Sequence, residues 1–236
     1  MPSPQLSVVI PAYNEEQRLP RTVEEIERYL DGQKIDYELI LVDDGSADGT
    51  RQVMDAAAAR NAKVRIEALP HNRGKGGALA AGVAVARGDE VLVTDADLST
   101  PIEELENLEA ALKAGAGVAI ASRAIKGSRI EIPQPVYRVM MGKVFNLIVQ
   151  VVLLPGIWDT QCGFKLFRAD VAHPVFAALT TDGFGYDPEV LYLAKRRGVK
   201  IAEVPVVWRH SAPTKVMAWR SSFDMFKHVV RVRFKR

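Results

Sequence analysis

The sequence predicts an α/β fold, a mostly parallel sheet covered by helices on both faces. Three observations carry this. Short apolar or β-branched runs alternate with helical patterns, and strands joined that way need crossover helices. The runs are bounded by turn signals, as buried strands are. Run after run also ends in polar, ligand-competent residues, and the carboxyl edge of an open α/β sheet is where ligands bind. At 236 residues and 26.0 kDa the chain suits one large α/β domain, or a domain with an appendage.

The first run, Leu6 to Ile10, stops at Pro11-Ala12-Tyr13-Asn14-Glu15-Glu16. Pro20 then falls in the first turn of a helix with Val23, Ile26 and Leu30 at helical spacing. A second run, Leu39 to Val42, ends at Asp43-Asp44-Gly45-Ser46, and a helix follows from Thr50 to Arg60. Val64 to Leu69 leads into Asn72-Arg73-Gly74-Lys75-Gly76-Gly77 and an alanine-rich helix. The fourth run, from Val91, closes on Asp95-Ala96-Asp97-Leu98-Ser99-Thr100-Pro101, and Val118 to Ser122 makes a fifth strand. Ser99 or Thr100 before Pro101 reads as an N-cap and first helical residue.

Asp95 and Asp97 are the centre of this reading. A lone Asp-x-Asp is also an ordinary solvated turn. At a strand's carboxyl end, however, two neighbouring carboxylates repel each other and a divalent cation relieves the repulsion. Oxygen ligands select Mg²⁺ or Mn²⁺, an ion that normally also touches a ligand phosphate. Asp43 and Asp44 fit turn chemistry as well. The Gly74-Lys75-Gly76-Gly77 segment is neither a Walker loop nor a complete dinucleotide fingerprint.

Composition narrows the function classes. A net charge of +2 argues against a broad nucleic-acid surface, although basic residues gather near the C-terminus. The single cysteine, Cys162, excludes an internal disulfide framework and fits a reducing compartment. It has no evident histidine partner, so a packed small residue is expected. The N-terminus runs straight into a strand, which predicts no signal peptide. No apolar stretch approaches the roughly 20 residues of a spanning helix. The expectation is a cytoplasmic protein, soluble or peripheral on the cytoplasmic membrane face.

Four segments, Val8-Val9-Ile10-Pro11-Ala12-Tyr13-Asn14-Glu15, Val42-Asp43-Asp44-Gly45-Ser46, Asn72-Arg73-Gly74-Lys75-Gly76 and Asp95-Ala96-Asp97, resemble family 2 glycosyltransferases in order and spacing. A fifth, Asp159-Thr160-Gln161-Cys162-Gly163-Phe164-Lys165-Leu166-Phe167, resembles the polyprenyl-phosphate branch, in particular its glucosyltransferases. The resemblance implies an inverting, metal-dependent enzyme with a Rossmann-like, GT-A type fold that uses a nucleotide sugar. It implies that Pro11, Tyr13, Glu15 and Asp43 line the base and ribose. Lys75 and Arg123 lie nearer the phosphates, and Asp95 and Asp97, flanking Ala96, carry Mg²⁺ or Mn²⁺. Ser99 stands where the mannosyl branch has a glutamine that also reaches the metal.

The same resemblance places an acceptor half at about residues 123–218, after a nucleotide-sugar half at about 1–122. Arg123 and Arg138 match positions that hold the acceptor phosphate, and Asp159 matches the usual candidate for a catalytic carboxylate. A phosphate monoester has a second pKa of about 6 and is largely ionised at pH 7, so a lipid-phosphate acceptor hardly needs a base. Asp159 then orients the pocket or Lys165. Arg209 and Lys215 match a segment that folds over the diphosphate, although Thr214 replaces the family's serine; surface charge is the competing reading for both.

Two apolar stretches remain. Val144 to Leu154 reads as a core helix or as a membrane-facing helix beside the acceptor. Trp219 to Arg236 forms a basic amphipathic helix, suited to a membrane surface or to docking on the domain. The predicted reaction moves glucose from UDP-glucose onto a polyprenyl phosphate, dolichyl or undecaprenyl. GDP-mannose as donor and a saccharide as acceptor are the alternatives. A nucleotidyltransferase would share the fold, but its glycine-rich, arginine-containing N-terminal loop is missing.

Overall fold

The computed structural model describes residues 3–132, 136–209, 229 and 231–233, with Arg138 by its backbone alone. Five strands follow the expected order: β1 (Leu6–Ala12), β2 (Tyr37–Asp43), β3 (Val64–Ala68), β4 (Glu90–Val93) and β5 (Val118–Ser122). Between them run α1 (Leu19–Gly32), α2 (Thr50–Arg60), α3 (Lys75–Ala84) and α4 (Leu105–Lys113). The second half adds β6 (Arg129–Ile132), α5 (Val136–Val152), β7 (Lys165–Arg168), α6 (Ala169–Ala177), α7 (Tyr186–Arg196), β8 (Ile201–Pro205) and β9 (Val207–Arg209).

Seven strands form one sheet in the order β3-β2-β1-β4-β7-β5-β8, and β6 pairs with β9 in a separate two-stranded ribbon. All pairings in the large sheet are parallel except those of β7, which runs antiparallel between β4 and β5. Side chains alternate across the sheet. Val8, Ile10, Leu39 and Leu41 face a core shared with α1, α2 and α4, while Val9, Ile40 and Val42 face α3, α5, α6 and α7. The sheet is therefore covered on both faces, which explains why β1 and β2 are apolar at nearly every position.

The strand order reverses at β1, which lies between β2 and β4. The segments after β1, β2 and β4 therefore lie beyond the carboxyl ends at this reversal, the edge where open α/β sheets bind ligands. The helix start expected at Pro101 is displaced. Pro101 has an extended ψ of 146°, residues Ile102–Glu104 form a 3₁₀ turn, and α4 begins at Leu105. Neither Ser99 nor Thr100 caps it; the Ser99 amide is instead donated to the Asp97 carboxylate. The tail helix expected over 219–236 lies outside the described residues except at 229 and 231–233, where Val229 and Val232 are buried and Arg231 and Arg233 exposed.

Candidate active site

The segments after β1 and β2 are held in place by hydrogen bonds between their side chains and backbone. After β1, Asn14 takes the left-handed conformation (φ 56°), and its amide donates to the Ser46 hydroxyl. The Glu15 amide donates to Thr50 Oγ1, and the Glu15 carboxylate accepts Nε and Nη2 of Arg18. Arg18 in turn stands 4.0 Å from Asp97. At the end of β2, Asp43 accepts the Ser46 amide, closing the turn. Asp44, equally buried, accepts the amides of Arg73 (2.7 Å) and Gly74 (2.9 Å). Burial nevertheless leaves the Asp44 carboxyl above its usual range. The two bonds fix the loop before α3, where Gly74 has a φ of +85° and a side chain would meet the Asp182 carbonyl.

Lys75 opens α3 and forms an ion pair with Asp95. Burial works to raise the Asp95 carboxyl, but Lys75 outweighs it and holds the group below its usual range. Asp97 goes the other way: burial and then the negative charge of Asp95 push it up. The Asp95 carboxylate lies hard against Gly163, where a Cβ would come within 2.1 Å of Oδ2, so a side chain there would push the carboxylate out of its place. Ala96, between the two aspartates, is anchored through its carbonyl by Thr22 Oγ1 at 2.7 Å.

This edge fits a divalent cation. Two carboxylates stand two residues apart, one of them raised by burial and then by the charge of the other, and a cation relieves that cost. Among the described residues no third histidine, cysteine or acidic side chain joins them. Phosphate oxygens and water would complete the shell, which is how Mg²⁺ and Mn²⁺ are usually bound.

On the far side of β4 and β7 a second cluster forms around Asp159, almost fully buried. Its Oδ2 accepts the backbone amide and Nε of Arg123, and its Oδ1 accepts Arg123 Nη2 and the Gln161 amide. Burial would raise this carboxyl, but the Arg123 guanidinium and its hydrogen bonds hold it below the usual range. Arg123 also lies over the Trp208 ring, 5.4 Å from its centroid. Among the described residues its remaining Nη1 has no hydrogen-bond partner. Thr160 donates to Asn146 of α5, tying that helix to the same turn.

Residues 7–176 match the profile described as glycosyl transferase family 2. This chain belongs to that family. It is 35% identical over 98% of its length to a dolichyl-phosphate β-glucosyltransferase of Dictyostelium discoideum, 74% of which is covered. It is 36% identical over 99% of its length to the human dolichyl-phosphate β-glucosyltransferase, 76% of which is covered. Among solved structures, glucosyl-3-phosphoglycerate synthase of Mycobacterium tuberculosis with Mn²⁺ and UDP-glucose superposes with a TM-score of 0.69 at 21% identity, covering 97% of this chain and 77% of that one. The last likeness is one of fold.

In this family member, the donor residues expected from sequence come together at one edge: Pro11 on β1, Tyr13 and Glu15 just after it, Asp43 at the end of β2, then Lys75, Asp95, Ala96 and Asp97. Arg123 and Asp159 form the second cluster. Arg209 sits apart in part: its backbone amide donates to the Ser99 carbonyl, but its guanidinium pairs with Glu131 on β6. Arg138 is placed on α5 by its backbone, and Lys215 lies outside the described residues. Cys162 is buried 3.5 Å from Thr100, and burial raises its thiol, as suits a packing role.

Arg18 and Glu203 carried no signal in the sequence, whereas Lys165, expected beside Asp159, finds its ion-pair partner in Asp187. Arg18 was one unremarkable helix-start cation. Lys165 is fully buried, where it donates to the Cys162 carbonyl and pairs with Asp187. Glu203 accepts two backbone amides of the Asp159 turn. Only the Asp187-Pro188-Glu189 helix start could have hinted at a partner for Lys165.

Proposed function

We propose that the chain transfers glucose from UDP-glucose to the phosphate of a polyprenyl phosphate, dolichyl or undecaprenyl, with inversion at the anomeric carbon. The observation that carries this reading is the saturated Asp159–Arg123 pair beside the Asp95/Asp97 edge. A carboxylate whose two oxygens already accept four N–H groups is poorly placed to take a proton. An acceptor that needs no base is a phosphate monoester, largely ionised at pH 7. The dolichyl-phosphate β-glucosyltransferase relatives support both the sugar and the acceptor class.

In this mechanism Asp95 and Asp97 would hold Mg²⁺ or Mn²⁺, which would supply charge neutralisation to the diphosphate of the departing nucleotide. Pro11, Tyr13, Glu15 and Asp43 receive the base and ribose. Lys75 supplies a cation to the diphosphate. Arg123, held in plane by Asp159, offers Nη1 to the acceptor phosphate, and Arg138 and Lys215 add charge from the acceptor half. The lipid phosphate oxygen attacks the anomeric carbon as the bond to UDP breaks, so an α-linked donor gives a β-linked product.

A lipid acceptor implies work at a bilayer, and α5 supports a peripheral seat on the cytoplasmic membrane face. Val136, Met140, Val144, Leu147 and Val151 form a stripe that is 60 to 77% exposed. The opposite face, Phe145, Val149 and Leu153, is buried. No acidic residue occurs between Glu131 and Asp159. No helix among the described residues is long and apolar enough to cross a membrane, so α5 lies in the interface rather than spanning it. A Leu147→Glu, Val151→Glu double variant is expected to lose about tenfold or more in binding to phosphatidylserine-containing vesicles. Undiminished co-sedimentation would remove α5 from the membrane contact.

The donor is tested by thermal stability with UDP or GDP, each with Mn²⁺ or a chelator. A nucleotide at about 100 times its dissociation constant adds about 2.7 kcal/mol. A shift with UDP and Mn²⁺, lost in chelator, is expected. A shift with GDP alone moves the donor to GDP-mannose.

A further inference from the structure

Glu203 lies on β8, and its carboxylate is spent on a turn. Oε2 accepts the Trp158 amide at 2.8 Å and Oε1 accepts the Asp159 amide at 2.9 Å. Two successive backbone N–H groups thus point at one anion, a charge-assisted arrangement roughly twice as strong as neutral hydrogen bonding. The turn they belong to carries the Asp159 side chain, and that side chain fixes the plane of the Arg123 guanidinium through Nε and Nη2. β8 pairs with β5 in register from Val118 against Ile201 to Ser122 against Pro205, and Arg123 directly follows β5. Glu203 therefore reaches Arg123 along two routes, through the sheet and through the turn.

We infer that Glu203 is a positioning residue for the acceptor: it fixes where Arg123 presents its free Nη1. The inference rests on the proposed role of Arg123 toward a phosphate monoester. Its physical basis is the steepness of positioning. A displacement of about 1 Å at a reacting group can cost on the order of 100-fold, and a turn released by Glu203 shifts Asp159 and Arg123 together. Trp208 packs against a face of the guanidinium, and a stacking contact does not set the rotation of the fork within its plane. The donor edge shares no hydrogen bond with Glu203 among the described residues, so the effect falls chiefly on the acceptor.

The test is steady-state kinetics of the full chain with UDP-glucose, Mn²⁺ and a C20 polyprenyl phosphate in detergent, comparing Glu203→Gln, Glu203→Ala and Arg123→Lys. Glu203→Gln keeps the shape and one acceptor oxygen, so its fold is retained. It is expected to raise the acceptor KM about tenfold, and Glu203→Ala more, while the KM for UDP-glucose and the Mn²⁺-dependent UDP melting shift stay within about twofold of the parent. Arg123→Lys, which loses the bidentate fork, raises the acceptor KM as well. If Arg123→Lys raises it and neither Glu203 variant does, the inference is wrong and the Arg123 reading survives. If the Glu203 variants weaken donor and acceptor in step, Glu203 is only a structural brace and the inference is equally wrong. If none of the three moves the acceptor KM, the Arg123 reading falls, and the inference with it.

Discussion

Asp97→Asn should abolish transfer while leaving the protein at least as stable as the parent. Asp97 is raised by burial and by the charge of Asp95, which means that its ionised form is held at a cost in the folded state. Replacing it with a neutral isostere removes that cost, a gain of about 1 kcal/mol on the scale typical of relieving strain at a functional site. Transfer should fall by about 10³-fold or more, because the electrostatic stabilisation of a diphosphate leaving group is the largest contribution asked of this edge. Asp95→Asn should be just as inactive but less stable. It strips Lys75 of its partner, and a partly buried lysine left unpaired costs several kcal/mol, about 3 at the low end. Paired melting curves and rates check this. Two variants that lose stability equally would contradict the opposite electrostatics of the two aspartates.

Asp159→Asn should be the most damaging substitution outside the donor edge. Four N–H groups converge on this carboxylate, and breaking a buried ion pair by removing one partner costs about 3–5 kcal/mol. In a chain of this length that is a melting shift of roughly 10 °C. The pH dependence has a definite sign. The Asp159 carboxyl is depressed in the folded protein, so its contribution is fully present above the unfolded value of about 3.9 and is lost as pH falls through the lower, folded value. The gap between parent and variant should be complete at pH 7 and should shrink below about pH 4. The rate profile discriminates further. If the acceptor phosphate supplies the ionisation, the acid limb near pH 6 persists in Asp159→Asn. A parent acid limb below about pH 4 that vanishes in Asp159→Asn, with none near pH 6, would make Asp159 the base.

The donor edge was legible in the sequence because its chemistry sits at strand ends, where a run of buried aliphatics gives way to Asp, Glu or Lys within one or two residues. β1, β2 and β5 were readable for the same reason. β7 was not: it has four residues, includes the buried Lys165 and enters the sheet antiparallel, so neither alternation nor a crossover helix announces it. β6 gave no strand signal because all four of its residues are exposed and, among the described residues, it pairs with β9 alone. Pro101 misled because proline fixes φ but leaves ψ free, and here ψ stays extended for one more residue. Asp44 looked like half of a turn pair, and only the fold shows it gripping the loop before Lys75, more than twenty residues away. Glu203 shares that character, its partners being brought to it by tertiary structure, while Arg18 joins a local partner, Glu15 three residues earlier, to Asp97 across the fold.

α5 shows the same limit differently. Its sequence allowed both a core helix and a membrane-facing one, and the structure has it do half of each: Phe145 and Val149 are buried while Leu147 and Val151 are exposed. Hydrophobicity without strong amphipathic contrast conceals such a helix, because both faces are apolar and only the solvent exposure separates them.

The most direct test of the account is the lipid product itself. Full-length protein would be incubated with Mn²⁺, a polyprenyl phosphate in detergent, and either UDP-glucose or GDP-mannose labelled in the sugar, and the organic phase would be counted and its anomeric linkage determined. The account predicts label from UDP-glucose in a β-linked glucosyl phospholipid, with UDP released in equal amount. Label reaching the lipid only from GDP-mannose, or no lipid product while a saccharide acceptor is glucosylated, would contradict it.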